Sequence, residues 1–205
     1  MFTGLIREIG EVKSFSNNIL TIKSNLNPKI GDSIAVNGVC LTVTSVFDNL
    51  FSVELSSETR DIIDISKFQK EVHLEPAMGV NDRFEGHIVQ GHIDCIGVVE
   101  SIHRRENGVD FIIKVPKRCI KYIAPKGSIA VDGVSLTINE VYQDSFRLTI
   151  IPHTLNNTLI KDYKVGTKVN IETDIFARYI EHLLNRNRKD NRLSWDYIDS
   201  ILMSY

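Results

Sequence analysis

Cysteines at metal-ligand or redox spacing are missing from this sequence. Its three cysteines, Cys40, Cys95 and Cys119, form no Cys-x-x-Cys pair and are odd in number, so a disulfide framework is not expected and a reduced, cytoplasmic chain is. Long apolar runs are missing too. None approaches the ~20 residues that span a bilayer. The opening Met1-Phe2-Thr3-Gly4-Leu5-Ile6 has no basic stretch leading into a longer apolar one, so no secretory signal is expected. Charge of one sign is also scarce. Against 24 Lys and Arg stand 26 Asp and Glu, a net charge of −2, which gives no footprint for nucleic acid or an anionic membrane. No Gly-x-Gly-x-x-Gly or P-loop pattern offers a nucleotide cradle. What remains is an ordinary globular composition, 42% hydrophobic and 24% charged over 205 residues, with room for one large domain or two small ones.

The chain repeats itself. Gly31-Asp32-Ser33-Ile34-Ala35-Val36-Asn37-Gly38-Val39-Cys40-Leu41-Thr42-Val43 returns as Gly127-Ser128-Ile129-Ala130-Val131-Asp132-Gly133-Val134-Ser135-Leu136-Thr137-Ile138. From Ser33 the copies stand 95 residues apart, and the spacing persists from Phe51 to Phe146 and from Thr59 to Thr154. Upstream, Gly4 and Gly10 match Gly91 and Gly97 at a spacing of 87; downstream, Val72-His73-Leu74-Glu75 matches Val169-Asn170-Ile171-Glu172 at 97. Small insertions of this kind belong in surface loops.

Each copy reads as short strands. Ser33 to Val46 is rich in Val, Ile and Thr, with a turn at Asn37-Gly38 and a second turn signal at Asp48-Asn49. Phe51 to Leu55 and Phe146 to Ile150 alternate cleanly, and Val109 to Val115 runs up to Pro116. About six strands per copy, with little helical pattern, predict an all-β chain of two small barrels, because closure removes exposed edges. The expected divisions are residues 1–83, 84–174 and a helical tail 175–205, with Met78 to Gly86 linking the repeats. In the tail, Phe176, Tyr179, Ile180, Leu183 and Leu184 form a narrow apolar stripe. A polar segment follows from Asn185 to Arg192. Ser194 then N-caps a last helix carrying Trp195, Ile198, Ile201, Leu202 and Tyr205. The stripe either packs on a barrel or forms an oligomer interface.

Two barrels from one unit should bind similar ligands, so their differences mark chemistry. Cys40-Leu41-Thr42 corresponds to Ser135-Leu136-Thr137, Gly4-Leu5-Ile6 to Gly91-His92-Ile93, Glu58 to His153, and Ala77 to Asp174. The second copy gains a hydroxyl, imidazoles and a carboxylate. One site tuned for binding and one for reaction fits that pattern. His87 and His92, five apart, make a poor metal pair, since only Asp94 stands nearby. A hydrolase built on Ser135, His92 and Asp174 lacks the Gly-x-Ser-x-Gly elbow.

The residues Met1-Phe2-Thr3-Gly4, Asn37 to Val43, Gly86-His87-Ile88-Val89-Gln90-Gly91-His92-Ile93-Asp94, Asp132 to Thr137, Pro152-His153-Thr154-Leu155 and Val169-Asn170-Ile171-Glu172-x-Asp174, taken in order, closely resemble the riboflavin synthase family. The resemblance runs from residue 1 to about residue 180. It implies two six-stranded Greek-key barrels and a C-terminal helix, assembled as a homotrimer. The N-barrel of one subunit would then face the C-barrel of the next. The implied reaction is the dismutation of two molecules of 6,7-dimethyl-8-ribityllumazine, one ceding a four-carbon unit to the other. Riboflavin and 5-amino-6-ribitylamino-pyrimidinedione result, with no metal or organic cofactor. A partnership with lumazine synthase also belongs to what the resemblance implies.

By position, the resemblance sets Gly4, Leu5, Ile6, Cys40, Leu41, Thr42 and the stretch Glu54, Leu55, Ser56, Ser57, Glu58 and Thr59 around an N-barrel ligand. Around a C-barrel ligand it sets Gly91, His92, Ile93, Ser135, Leu136, Thr137 and the stretch Thr149, Ile150, Ile151, Pro152, His153 and Thr154. Lys126 would reach a neighbour's site. Ser135 and His92 are the expected proton-handling or nucleophilic groups, Asp174 the orienting carboxylate, and Cys40, Thr137 and Phe2 their support. Holding two copies of one heterocycle in register is worth ~7–11 kcal/mol. A positioned acid or base at the acidic 7-methyl group adds ~10²–10⁴-fold.

Three other readings compete. A non-catalytic lumazine or flavin carrier shares such a double barrel, but Cys40, His92, Ser135 and Thr137 all stand in their motifs here. A flavin-dependent reductase needs a nicotinamide domain for which no residues remain. A nucleic-acid-binding barrel needs aromatics clustered among basic residues.

Overall fold

The computed structural model of the chain describes residues 1–190, with side chains to Arg186; the helix expected from Ser194 lies outside them. The first barrel comprises β1 (Glu8–Ser16), β2 (Ile19–Lys23), β3 (Ser33–Val36), β4 (Val39–Phe47), β5 (Leu50–Glu54) and β6 (Glu71–Pro76). The second comprises β7 (Cys95–Arg105), β8 (Gly108–Lys114), β9 (Ser128–Val131), β10 (Val134–Val141), β11 (Ser145–Ile150) and β12 (Lys168–Thr173). Both sheets close with antiparallel neighbours, in the orders β1-β2-β5-β4-β3-β6 and β7-β8-β11-β10-β9-β12. The two orders are the same once β7 is set on β1, as duplication demands.

Turn chemistry sets the register. Asn37 and Gly38 join β3 to β4 with φ of +47° and +80°, and Asp132 and Gly133 join β9 to β10 with +45° and +83°. Two left-handed residues in a row match the twist of a two-residue hairpin. The register slips between Val12 and Ser14, Val43 and Ser45, Val99 and Ser101, and Ile138 and Glu140. These bulges occupy equivalent sites in the two repeats and bend strands enough to close six of them. Alternation does the rest. Leu20, Ile22, Val53 and Leu74 fill one interior, and Ile113, Ile138, Leu148 and Ile171 the other.

Structure adjusts the repeat alignment at one turn. Gly31 aligned by letter with Gly127, yet its structural counterpart is Lys126. Gly31 and Lys126 both take left-handed φ, +93° and +65°, and donate their N–H to Val43 and Ile138 at 2.8 and 2.7 Å. Sequence also missed three short helices: α1 (Ser57–Ile62), α2 (Lys117–Ile120) and α3 (Pro152–Asn157). α1 and α3 follow β5 and β11.

The two barrels meet about a local two-fold axis. Phe2 and Val89, equivalent at the 87-residue spacing, bridge each other through N–H to O bonds of 2.7 and 3.1 Å. Around them Phe2, Ala35, Val89 and Ala130 form a small buried cluster. Next to it, Asn37 accepts the N–H of His73 at 2.8 Å, and Asp132 accepts that of Asn170 at 2.8 Å. The His73 ring then bonds the Asp132 carbonyl at 2.8 Å, as the Asn170 amide bonds the Asn37 carbonyl at 2.9 Å. Lys67 and Tyr163 both reach the Asp132 carboxylate. The pair of barrels is stitched by a polar network that is buried and paired almost throughout, the condition under which such networks fix one arrangement.

Residues 175–205 separate from residues 1–174 as a second unit. Within it α4 (Ile175–Asp190) extends past Leu184, into the segment that sequence marked as polar. Arg and Lys are good helix formers, and Asn185 donates to Glu181 one turn back at 2.9 Å. Phe176, Tyr179, Ile180, Leu183 and Leu184 are each more than half exposed.

Candidate active site

At the mouth of the first barrel lies a cavity of about 350 Å³, lined by Val39, Cys40, Glu58, Thr59, Ile62, Ile63, Gly91, His92 and Ile93. The volume suits a small bicyclic ligand. Its floor, Val39 and Ile63, belongs to the barrel core. Its roof is α1, whose N-cap Ser56 accepts the Thr59 N–H at 3.1 Å. That cap turns Glu58, Thr59 and Ile62 to one side, spaced as a helix face requires.

Gly91, His92 and Ile93 come from the second repeat, and this corrects the sequence reading. Each repeat's opening segment does not line its own barrel's pocket; the two are exchanged. The Cys40 N–H donates to the Gly91 carbonyl at 2.9 Å, and the Ser135 N–H to the Gly4 carbonyl at 2.8 Å. Ile93 packs on the first core and Ile6 on the second. A Cβ on Gly91 would lie 2.5 Å from the Cys40 Cβ, and one on Gly4 2.5 Å from the Ser135 Cβ, so only glycine permits either approach. Gly4, Leu5 and Ile6 therefore belong with Ser135, and Gly91, His92 and Ile93 with Cys40.

Two glutamates clasp the exchanged segments. Glu75 on β6 accepts from the Thr3 N–H, the Thr3 hydroxyl and the Gly4 N–H at 2.7, 3.0 and 3.0 Å. Glu172 on β12 accepts from the Gln90 and Gly91 N–H groups at 2.7 and 2.8 Å. Both are almost wholly buried. Desolvation pushes the Glu75 carboxyl upward, against the pull of the hydrogen bonds from Thr3 and Gly4. No sequence argument singled these residues out as holding a pocket wall.

Alternation on β4 and β10 sorts the motif residues. Cys40 and Thr42 point away from the barrel interior and Leu41 into it, and Ser135 and Thr137 share the corresponding outer face. Leu55 and Ile150 are core residues. Phe2 is fully buried in the cluster between the barrels, with Cys40 packed on it, so it backs the wall rather than lining the cavity. Thr149 gives its hydroxyl to Asp110 at 2.7 Å, inside an ion network with Arg105 and Arg147. α3 carries His153 and Thr154, Ile151 before it is exposed, and Lys126 stands exposed on its turn.

Ser135 and His92, expected together, stand on different walls within the chain. The imidazole on Ser135 is that of His87, whose Nδ1 lies 2.7 Å from the Ser135 Oγ. His87 is buried. Burial lowers its basicity, and the charge of Asp174 opposes that shift. Sequence had weighed His87 only as a metal ligand; among the described residues no group of three or more His, Cys, Asp or Glu could hold a metal ion. No described helix is long and apolar enough to cross a membrane.

Known proteins resemble this chain over most of its length. The lumazine binding domain family matches residues 3–77 and again 90–174. A riboflavin synthase of Photobacterium phosphoreum is 42% identical over 97% of both chains, and one of Bacillus subtilis (strain 168) is 40% identical over 91% of both. Among solved structures, LumP complexed with 6,7-dimethyl-8-(1'-D-ribityl) lumazine superposes with a TM-score of 0.75, and LumP complexed with riboflavin with 0.77. Each is 23% identical and covers 84% of this chain and 99% of its own. That likeness is one of fold. Duplicated matches and full-length relatives together establish that the chain belongs to the riboflavin synthase family, two lumazine-binding domains in one polypeptide.

Proposed function

We propose that the chain is a riboflavin synthase: it converts two 6,7-dimethyl-8-ribityllumazine molecules into riboflavin and 5-amino-6-ribitylamino-pyrimidinedione. One observation carries the reading. The two related sites keep the same frame but differ where chemistry would occur, with Cys40 and His92 on one and Ser135 and His87 on the other. A carrier needs one good pocket; a dismutase needs two that treat the same heterocycle differently.

In this reading one lumazine sits against Cys40, Thr42, Glu58, Thr59 and His92, the other against Gly4, Leu5, Ile6, Ser135, Thr137, His153 and Thr154. The barrels of one chain are joined through Phe2 and Val89, and in this reading the two ligands come face to face between subunits. The exposed apolar stripe of α4 supports a homotrimer, in which His92 of one subunit and Ser135 of another converge and Lys126 reaches across. A cytoplasmic location and a partnership with lumazine synthase belong to the same reading. The protein's work is orientation, with Ser135, His92 and Asp174 handling the 7-methyl proton and the group added to the partner ring.

Incubation of the purified protein with 6,7-dimethyl-8-ribityllumazine tests this. Riboflavin should accumulate, one per two lumazines consumed. A stable fluorescent complex without turnover favours the carrier. Ser135→Ala and His92→Gln should each slow turnover at least tenfold; parental rates would remove these residues from the mechanism.

A further inference from the structure

We infer that His87 is the positioning residue of the second site: it fixes the Ser135 hydroxyl so that its hydrogen is directed to the bound heterocycle. The inference rests on Ser135 being part of the reaction, as proposed above. Three observations carry it.

First, His87 is anchored independently of Ser135. Its N–H donates to the Thr3 carbonyl at 3.2 Å. The residue before it, Gly86, has φ of +83°, and a Cβ there would lie 2.2 Å from the Thr3 oxygen. These contacts fix the backbone from which the imidazole extends. Second, His87 is buried, with 7% of the residue exposed, and the partner of Nδ1 among the described residues is the Ser135 Oγ at 2.7 Å. Third, Nε2 is buried and has no hydrogen-bond partner among the described residues. A buried N–H left unmade costs more than a bare lone pair, so the neutral ring carries its proton on Nδ1. Nδ1–H then donates to the Ser135 Oγ, and the hydroxyl must turn its own hydrogen elsewhere. Ser135 is thereby set as a donor to a ligand carbonyl or ring nitrogen where negative charge builds after the 7-methyl proton leaves, the kind of placement that stabilises a transition state.

His87 directly follows the Met78 to Gly86 linker. It stands against Ser135, where the first repeat has Cys40, and so adds to the exchange of a thiol for a hydroxyl between the two pockets.

The test uses the full-length enzyme with its lumazine substrate. His87→Ala should lower kcat about tenfold with KM changed less than threefold, the loss of about one hydrogen bond made in the transition state. His87→Asn, whose side-chain amide can stand near the Nδ1 position, should recover to within threefold of the parent. In a Ser135→Ala background, His87→Ala should change kcat less than twofold, because nothing remains to orient. The ¹⁵N spectrum of the unsubstituted protein should report an Nδ1–H imidazole at His87. Additive losses in the double variant, no recovery with Asn, or an Nε2–H ring would each overturn the inference. If His87→Ala does not fold, the Asn variant and the ¹⁵N spectrum decide. A parental rate for Ser135→Ala removes the Ser135 reading and this one with it, whereas a slow Ser135→Ala beside an unimpaired His87→Ala removes this one alone.

Discussion

Gly38 and Gly133 touch across the local two-fold axis: a Cβ on Gly38 would lie 2.6 Å from the Gly133 nitrogen, and one on Gly133 2.8 Å from the Gly38 nitrogen. Each is the second residue of a hairpin turn and left-handed. Alanine at either place meets a backbone atom of the other repeat as well as an unfavourable φ. Gly38→Ala and Gly133→Ala should each cost about 2–4 kcal/mol, from the left-handed penalty plus forced separation of the turns. Urea midpoints check this, and equal losses for the two are expected because the contact is reciprocal.

The glutamate clasps should act at a distance. Glu75 holds the segment that closes the pocket beside Ser135, and Glu172 the one beside Cys40. Glutamine at either position sets an amide against a backbone N–H and should cost about 1.5–3 kcal/mol. Amide NMR shifts reveal where the disturbance lands. Glu75→Gln should move the Ser135 amide and leave Cys40 close to its place, and Glu172→Gln the reverse.

His73 makes stability depend on pH. Its ring lies between the Asp132 carbonyl and the Leu159 N–H, which donates to Nε2 at 2.7 Å. Nδ1 must therefore carry the only proton. Burial depresses its pKa below 6.5; the nearby Asp132 charge opposes that shift and Lys67 adds to it. Below about pH 6.5 the unfolded chain takes a proton that the native state refuses, so stability falls as pH falls, by up to about 1.4 kcal/mol per unit. His73→Asn copies Asn170 at the equivalent place. It should lower stability by about 1 kcal/mol near neutrality, where the Leu159 bond is lost, and flatten this part of the acid slope in denaturation curves measured from pH 7 to 5.

These residues show what a sequence can and cannot convey. Asn37-Gly38 announced its hairpin because a two-residue turn needs those residue types, and Asp132-Gly133 stands at the equivalent place in the second repeat. The equal spacing of β-rich segments announced two barrels. The exchange of Gly4 and Gly91 between barrels was not legible, because a spacing of 87 says that two residues are equivalent and not which barrel each closes. His87 escaped because nothing in the sequence ties it to Ser135, 48 residues further on. α1 and α3, six residues each, are too short for a 3.6-residue period to show against the turn residues around them.

Lys126 sits where the first repeat has Gly31, in the same left-handed turn. A lysine there is strained, and strain kept at an exposed turn points to use. Lys126→Gly should gain about 0.5–1 kcal/mol in stability. If the lysine contacts a ligand bound to a neighbouring subunit, KM should rise at the same time. Thermal midpoints and steady-state kinetics on one preparation would display that trade.

The crossed opening segments bear on ancestry. A lone ancestral repeat, folded as these are, would have carried an unfinished cavity, with its own opening segment reaching outward to cover someone else's. It could work only beside a twin. Joined in one chain, each half is free to differ, and thiol and hydroxyl, leucine and histidine, mark how far the twins have parted.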